Sequence, residues 1–117
     1  MHSEWCTVSE ETVMAVCETQ QQGGRVVAVG TTAVRSLETA ARSGLTESYG
    51  GATNLYIRPG YSFRVVDVML TNFHMPRTTL MVLVSAFAGR DLIQQAYKEA
   101  MEKGYRFLSY GDAMLIL

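Results

Sequence analysis

A short apolar run that leads directly into a helix constrains the fold of this chain more than any other feature. Residues 25–30 read RVVAVG, and residues 33–43 (AVRSLETAARS) follow as a predicted helix that ends at Gly44. A continuous apolar run bounded by glycine is typical of a strand buried on both faces of a sheet. A preceding helix, predicted over 9–21, completes a helix–strand–helix order. This order predicts an α/β fold with a mixed, partly parallel sheet and packed helices.

The rest of the chain alternates between extended and helical patterns. Pro59-Gly60 predicts a turn, since proline fixes the first turn position and glycine accepts a positive φ at the second. Residues 78–89 are apolar nearly all round, which favours a buried helix over the alternative of a buried strand. The predicted elements are a mobile loop over 45–53, hairpin strands over 54–58 and 61–70, a loop over 71–77, helices over 78–89 and 91–104 with Asp91 as cap, and a strand over 105–111.

Composition narrows the class of protein. The chain has 117 residues, 48% of them hydrophobic, which is enough for one domain with one packed core. No apolar run approaches the roughly 20 residues that span a bilayer, and no signal peptide is visible, so we expect a cytoplasmic protein without membrane contact. Two cysteines and two histidines without ligand spacing predict neither a disulfide nor a metal site. A net charge of −1 argues against a free-standing nucleic-acid binder, although eight arginines against two lysines allow a local basic face.

The first segment with chemical character is VGTTAVRSLE at 29–38. A strand that runs through Gly30 into a helix leaves backbone N–H groups free for an anion, and Thr31 and Thr32 add hydroxyl donors. Arg35 lies one turn further and is expected to face the same end. The segment matches neither the phosphate-binding loop of nucleotide hydrolases nor the glycine fingerprint of dinucleotide-binding folds. Ordinary helix capping is the alternative reading.

The second segment is TNFHMP at 71–76, a loop predicted at the end of a strand. Asn72 and His74 can both donate and accept hydrogen bonds, and α/β folds gather ligand groups at strand ends. His74 also titrates near neutrality and can transfer protons. The alternative is a structural loop in which the asparagine caps backbone groups.

The third segment is YRFLSYGDAM at 105–114. Arg106 and Tyr110 can stack on nucleic-acid bases, and Asp112 can accept from a base edge or take a proton. The alternative is a closing strand with a tight Gly111-Asp112 turn. None of the three segments names a function on its own.

Taken together, the segments resemble one enzyme family. VGTTAVRSLE, the block RPGYSFRVVDVMLTNFHMPRTTLMVLVSAFAG at 58–89, and YRFLSYGDAM occur in this order, and the chain opens with MHSEW. This arrangement closely resembles the C-terminal part of the S-adenosylmethionine:tRNA ribosyltransferase-isomerases of queuosine biosynthesis (the QueA family). The resemblance covers essentially the whole chain, and the 58–89 block is highly specific. Met75 and Leu108 are small departures, where the family more often has leucine and an aromatic residue.

The resemblance implies both an organisation and a reaction. Residues 1–117 would be the C-terminal part of the main α/β domain of a longer enzyme, whose N-terminal part and inserted β-barrel domain lie elsewhere. The family transfers the ribosyl part of S-adenosylmethionine, a consumed cosubstrate, to 7-aminomethyl-7-deazaguanine in the wobble position of tRNA. The ribosyl unit rearranges to give epoxyqueuosine, and adenine and methionine leave. No metal is expected.

The motif positions then suggest roles for individual residues. His74 and Asp112 are candidates for proton transfer. Candidates for holding cosubstrate or tRNA are Thr31, Thr32, Arg35, Asn72, Phe73, Arg106 and Tyr110, with Phe73 or Tyr110 stacking on a base. Three alternatives stay open for this chain alone. It can be a non-catalytic ligand- or tRNA-binding module, a subdomain that self-associates to cover apolar surface, or a small nucleotide-binding domain that uses only the 29–38 anion site.

Overall fold

The computed structural model describes residues 3–44, 46–109 and 111–117. Strands and helices alternate along most of this length, as expected of an α/β fold. The elements in chain order are β1 (Glu4–Val8), α1 (Glu10–Gln21), β2 (Val27–Val29), α2 (Thr31–Ala40), β3 (Tyr49–Thr53), β4 (Val68–Asn72), α3 (Thr79–Ala88), α4 (Arg90–Glu102) and β5 (Ala113–Ile116).

The three segments with chemical character all lie next to strands of one three-stranded sheet. Its order is β2-β4-β5, with β2 parallel to β4 and β5 antiparallel to β4. This pairing confirms the predicted mixed, partly parallel sheet. One face of the sheet packs on the main core, where Met69 is fully buried beside Leu83 and Val84 of α3.

The opposite face of this sheet is open, which corrects one expectation. Strand β2 was predicted to be buried on both faces, yet Val27 is 55% exposed and Val29 is 66% exposed, whereas Ala28 between them is buried. Leu115 of β5, which pairs with Leu70, is 60% exposed on the same side as Val29. Alternate residues of a strand point to opposite faces, so Val27, Val29 and Leu115 lie on one largely exposed face, on which Val68 is nevertheless buried.

A second, two-stranded sheet joins β1 to β3 in antiparallel register, with Cys6 opposite Gly51. The sequence predicted a mobile loop over 45–53, so this prediction was wrong. Strand partners outweigh local propensity in sheets, and the partner here is β1, which periodicity did not reveal. Cys6 and Val8 of β1 are buried.

The helices follow the sequence closely. The side chain of Ser9 caps α1 by accepting from the N–H of Thr12 at 3.2 Å, the usual role of a serine hydroxyl at a helix N-terminus. The apolar segment after residue 78 forms the predicted helix α3. Helix α4 begins one residue earlier than expected, at Arg90, and Gly89 rather than Asp91 is its N-cap.

The carboxylate of Glu38 organises the segment before β4. Glu38 is fully buried in α2 and accepts hydrogen bonds from the N–H groups of Arg64, Val65 and Val66 at 2.9, 2.9 and 3.0 Å. The Tyr61 hydroxyl donates to the same carboxylate at 2.9 Å. Burial, and then the Glu38 charge, raise the pKa of Tyr61 above its ordinary value.

This carboxylate explains why the predicted hairpin is absent. The turn at Pro59-Gly60 exists, with the N–H of Tyr61 bonded to the Arg58 carbonyl at 3.0 Å and Gly60 at φ 100°. Neither 54–58 nor 61–67 forms a strand, however, and β4 starts only at Val68. A main-chain N–H that donates to a buried carboxylate is not available to a strand partner.

Candidate functional site

The sheet topology brings the three chemically interesting segments to one edge. Strands β2 and β4 are parallel and end side by side, and the N–H of Gly30 donates to the Leu70 carbonyl at 2.8 Å. Strand β5 runs the other way, so that its first residue, Ala113, pairs with Asn72 at the end of β4. Ligand groups of open α/β sheets gather at such carboxyl ends.

The N-terminus of α2 lies at this edge. Gly30 is its N-cap at φ 92°, and no side chain caps the helix. Thr31 is partly exposed and Thr32 is exposed. Thr32 also lines an open cavity of about 410 Å³ between β1, the start of α1 and α2, together with Ser36. The first turn of α2 therefore has N–H groups without a side-chain cap, and the anion site at Thr31 and Thr32 stays a prediction.

Arg35 does not face this edge, which corrects its predicted role. Its side chain is only 2% exposed and forms an ion pair with Glu4 of β1 at 2.8 Å. The guanidinium also donates to the main-chain carbonyls of Leu55 and Thr53 at 3.2 and 3.4 Å. Arg35 joins α2 to the two-stranded sheet. A buried guanidinium with these partners is a structural group and does not contact a ligand at the sheet edge.

His74 and Asn72 sit at the end of β4 in a network of hydrogen bonds. Nε2 of His74 lies 2.9 Å from the hydroxyl of buried Thr71, and the N–H of His74 donates to the Tyr97 hydroxyl at 2.8 Å. The amide nitrogen of Asn72 donates to the Leu108 carbonyl at 3.1 Å. Both side chains are partly exposed. Burial lowers the pKa of His74 below its ordinary value, which favours the neutral imidazole at neutral pH.

Phe73, between these two residues, points into the protein. It is 3% exposed, and its ring packs against Tyr97, Tyr105 and Phe107 at centroid distances of 5.3, 6.0 and 5.3 Å. The prediction that Phe73 stacks on a base is therefore wrong in this structure, because no ring face is open to solvent. Its aromatic cluster instead supports the loop that carries His74.

Residues 105–109 form no strand, which corrects the strand predicted over 105–111, and Arg106 and Asp112 instead bond to each other. The N–H of Arg106 donates to Oδ2 of Asp112 at 2.7 Å, and the N–H of Asp112 returns a bond to the Arg106 carbonyl at 2.9 Å. A Cβ on Gly111 would lie 2.5 Å from that carbonyl oxygen, so only glycine fits. Leu108, at φ 70°, ties the turn to β4 through its N–H bond to the Phe73 carbonyl.

The turn presents two of the predicted groups to solvent. Asp112 and Arg106 are exposed, and no hydrogen bond from the Arg106 guanidinium to a described residue is present. The predicted base-stacking residue Tyr110 lies outside the described residues. The edge thus unites Thr31, Thr32, Asn72, His74, Arg106 and Asp112, while Arg35 and Phe73 belong to the interior.

Two supporting residues were missed by sequence reasoning. Thr71 and Tyr97 orient His74 from opposite sides, one through the ring and one through the main chain. The spacing of apolar residues predicted Tyr97 only as an inward-facing residue of a helix. Nothing in the sequence indicated a hydrogen-bond partner for its hydroxyl. Thr71 was assigned to a loop, although it belongs to β4.

The described residues limit other chemistries. Within 3–44, 46–109 and 111–117, no three His, Cys, Asp or Glu residues group closely enough to hold a metal ion. Both cysteines are free thiols. None of the helices in these ranges is long and apolar enough to cross a membrane.

Comparisons with known proteins agree on one family. A family model described as queuosine biosynthesis protein matches residues 1–116. The chain is 58% identical over 117 residues to an S-adenosylmethionine:tRNA ribosyltransferase-isomerase of Afipia carboxidovorans, with 99% of this chain and 32% of that protein covered. It is 55% identical over 117 residues to the enzyme of the same name from Thermotoga maritima, covering 100% of this chain and 35% of that protein.

A solved structure of a similar protein has the same fold over nearly the whole of this chain. The crystal structure of an S-adenosylmethionine tRNA ribosyltransferase from Thermotoga maritima superposes with a TM-score of 0.92 at 54% identity, covering 97% of this chain and 40% of that chain. The chain thus spans about a third of the length of the curated relatives that it matches. With nearly every residue matched by the family and with the same fold, the chain belongs to the queuosine biosynthesis protein family.

Proposed function

We propose that this chain contributes to the transfer and isomerisation of the ribosyl part of S-adenosylmethionine onto 7-aminomethyl-7-deazaguanine in the wobble position of tRNA, which yields epoxyqueuosine. The observation that supports the proposal is that residues 29–32, 72–74, 106–109 and 111–112 lie at the carboxyl ends of β2 and β4. The tRNA and S-adenosylmethionine are the substrates, and a tRNA substrate puts the reaction in the cytoplasm.

The chain would act as part of a longer enzyme. We assign residues 1–117 to the C-terminal part of its main α/β domain, with the N-terminal part and an inserted β-barrel domain supplied by the remaining sequence. Support comes from the share of the relatives that the chain covers, 32–35%, and from the open face of the three-stranded sheet, where Val29 and Leu115 are exposed.

The cosubstrate would be held between β2 and β4. The first turn of α2, with Thr31 and Thr32, suits the methionine carboxylate, because its N–H groups lack a side-chain cap. The amide nitrogen of Asn72 is committed to the Leu108 carbonyl, which turns its oxygen into the acceptor for a ribose hydroxyl.

Proton transfer is assigned to His74 and Asp112. The sulfonium makes the adjacent ribose carbon more acidic, so one group must take that proton, and another must assist adenine as it leaves. Because Thr71 occupies Nε2 of His74, Nδ1 is the ring nitrogen that exchanges a proton with the substrate. Asp112 accepts a hydrogen bond from its own turn through Oδ2, and its side chain is exposed, so Oδ1 is our candidate for the proton-transferring atom.

The remaining candidates would contact tRNA. Arg106 is exposed beside Asp112 and suits a phosphate. Tyr110, which lies between Arg106 and Asp112 in the sequence, is our candidate for stacking on a base.

Calorimetry of S-adenosylmethionine binding tests the site. The chain, an Asn72→Ala variant and a control Gln95→Ala variant on the exposed face of α4 are titrated side by side, with the Thermotoga maritima enzyme as reference. Saturable binding that is lost in Asn72→Ala but kept in Gln95→Ala supports the site. No binding by the chain, alongside binding by the reference enzyme, would mean that the cosubstrate needs groups outside these residues.

A hybrid enzyme tests the chemistry. Because the chain is 55% identical to the corresponding third of the Thermotoga maritima enzyme, it can replace that third. In the hybrid, His74→Gln and Asp112→Asn should each lower kcat by roughly 100-fold or more. Near-normal turnover in both variants would make the catalytic assignment wrong.

For the isolated chain, a non-catalytic module is the second candidate function. The exposed apolar face built by Val27, Val29 and Leu115 favours it, because exposed patches of this kind mark contact surfaces. In isolation we propose that two copies cover this face for each other.

A further inference from the structure

One cavity of the described residues lies outside the candidate site, along helix α3. It has a volume of about 610 Å³ and is open to solvent. Its floor is apolar, with Met81 and Val82 on one face of α3. Its rim is polar and is formed by Arg77 before α3, Ser85 of α3, and Arg90 and Gln94 of α4. No acidic side chain lines it.

Neither arginine side chain has a bonding partner among the described residues. The structure gives neither guanidinium an ion pair, a hydrogen bond or an aromatic partner among residues 3–44, 46–109 and 111–117. Several other cations are committed: Arg35 to Glu4, Arg64 to the carbonyls of Ala41 and Arg42, and Lys103 to Glu99. Two free guanidinium groups on one groove without acidic neighbours form a site for negative charge.

The spacing of the two arginines selects the kind of anion. They flank the ten residues of α3, a helix about 15 Å long at ~1.5 Å per residue. A small anion fills only part of a groove of this length. A nucleic-acid strand carries one phosphate per nucleotide, so a strand that lies along the groove can offer a separate phosphate to each arginine.

The groove starts close in sequence to the candidate site. Arg77 follows His74 by three residues, and it has a positive φ of 63°, an uncommon backbone conformation for a residue with a side chain. The same loop therefore carries one candidate for proton transfer and one arginine of the groove. Met81 and Val82 provide an apolar surface for the sugar or base edges of a bound strand.

We propose that this α3 groove binds the phosphodiester backbone of an RNA strand, with Arg77 and Arg90 contacting phosphates that are not adjacent. The inference rests on the proposed tRNA-modifying function and adds the surface that positions the tRNA. Arg77 and Arg90 are then the cationic contacts to the RNA backbone, in place of the buried Arg35.

The test is binding of a fluorescently labelled tRNA to the chain, followed by anisotropy at several salt concentrations. The variants are Arg77→Gln, Arg90→Gln and the double variant, with Arg25→Gln as the control, since Arg25 is exposed and lies outside this groove. Gln94→Glu is a fifth variant that places a carboxylate in the groove without changing its shape. All substitutions lie at exposed positions, and circular dichroism checks that each variant folds.

The double variant should bind at least about tenfold more weakly at low salt, with a salt slope shallower by about 1.4, as expected for two lost phosphate contacts. Gln94→Glu should weaken binding, and Arg25→Gln should not. Inorganic phosphate should compete no better than chloride at equal ionic strength, whereas competition at low phosphate concentration would indicate a small-anion site and overturn the proposal.

Two failures are distinguishable. If the wild-type chain binds tRNA and the double variant binds it equally well, the groove is not the contact surface, while the tRNA-modifying function is unaffected. If the wild-type chain binds no tRNA even at low salt, the groove proposal fails and the tRNA part of the proposed function fails for this chain as well.

Discussion

The hydroxyl of Thr71 lies 2.9 Å from Nε2 of His74, three residues further along the chain. Thr71 is buried in β4, so its hydroxyl holds the imidazole from the protein side. The Tyr97 hydroxyl holds the main chain of the same residue. His74 is therefore fixed in orientation while part of its ring stays accessible.

The burial of His74 predicts a specific pH dependence of stability. Its pKa in the folded chain is lower than in the unfolded chain, where it is about 6.5. As the pH falls below that value, the unfolded state takes up a proton before the folded state does, and stability is lost until the lower folded pKa is reached. Urea unfolding at pH 7.5 and 5.5 should show a smaller loss in His74→Gln than in the wild type. His2 is present in both chains, so an identical loss would contradict the lowered pKa.

Gly111 is expected to be irreplaceable in the turn that presents Asp112. The Cβ of alanine would meet the carbonyl oxygens of Arg106 and Phe107 at 2.5 and 2.7 Å, and both are main-chain atoms that cannot rotate away. Gly111→Ala should destabilise the chain by about 2 kcal/mol and abolish turnover in the hybrid enzyme. Gly50→Ala is the matched control, since nothing lies within 4 Å of its Cβ position. Equal melting temperatures for the two variants would show that the turn adapts.

Arg35→Lys separates a structural from a binding role. Lysine cannot reproduce the fork that reaches Glu4 and two carbonyls. We expect a loss of roughly 2 kcal/mol or more in the free energy of unfolding, measured in urea, with unchanged affinity for S-adenosylmethionine where the variant is folded. Arg25→Lys, at an exposed position, should change neither quantity. Loss of affinity with stability intact would return Arg35 to the binding site.

The open face of the sheet predicts concentration-dependent association. Val29→Lys combined with Leu115→Lys places two charges on that face and should shift the isolated chain towards the monomer in sedimentation velocity. The exposed Met101→Lys on α4 is the control for added charge. A wild-type chain that sediments as a monomer at every concentration would rule out pairing through this face.

Helices α1, α3 and α4 could be predicted from the sequence because each is specified locally. Spacing of apolar residues, a serine cap at Ser9 and glycines at the ends are all visible within a few residues of the helix. Strands β1 and β3 could not be predicted, because their pairing joins residues that are more than 40 positions apart. The hairpin failed for a similar reason, since Glu38 lies more than 20 residues before the N–H groups that it binds.

The same difference between local and long-range information applies to the candidate site. Its location at strand ends followed from general rules of α/β folds, and the residues at those ends were identified. The direction of each side chain was not available from spacing. Arg35 sits one turn beyond Thr31, yet its partner Glu4 lies 31 residues earlier and turns it away. Phe73 has the polar neighbours Asn72 and His74, but strand alternation sends it into the aromatic cluster.

The hydrogen bonds of the Glu38 carboxylate determine how quickly three main-chain amides exchange with solvent. The N–H groups of Arg64, Val65 and Val66 belong to no helix or strand, yet all three end on a buried carboxylate. Amide hydrogens of irregular segments normally exchange with solvent quickly, whereas these three should exchange as slowly as those of the core helices. In Glu38→Gln their protection should collapse, while amides in α4 remain protected. The slowest-exchanging part of the molecule would then include a stretch without regular secondary structure, held by one side chain of α2.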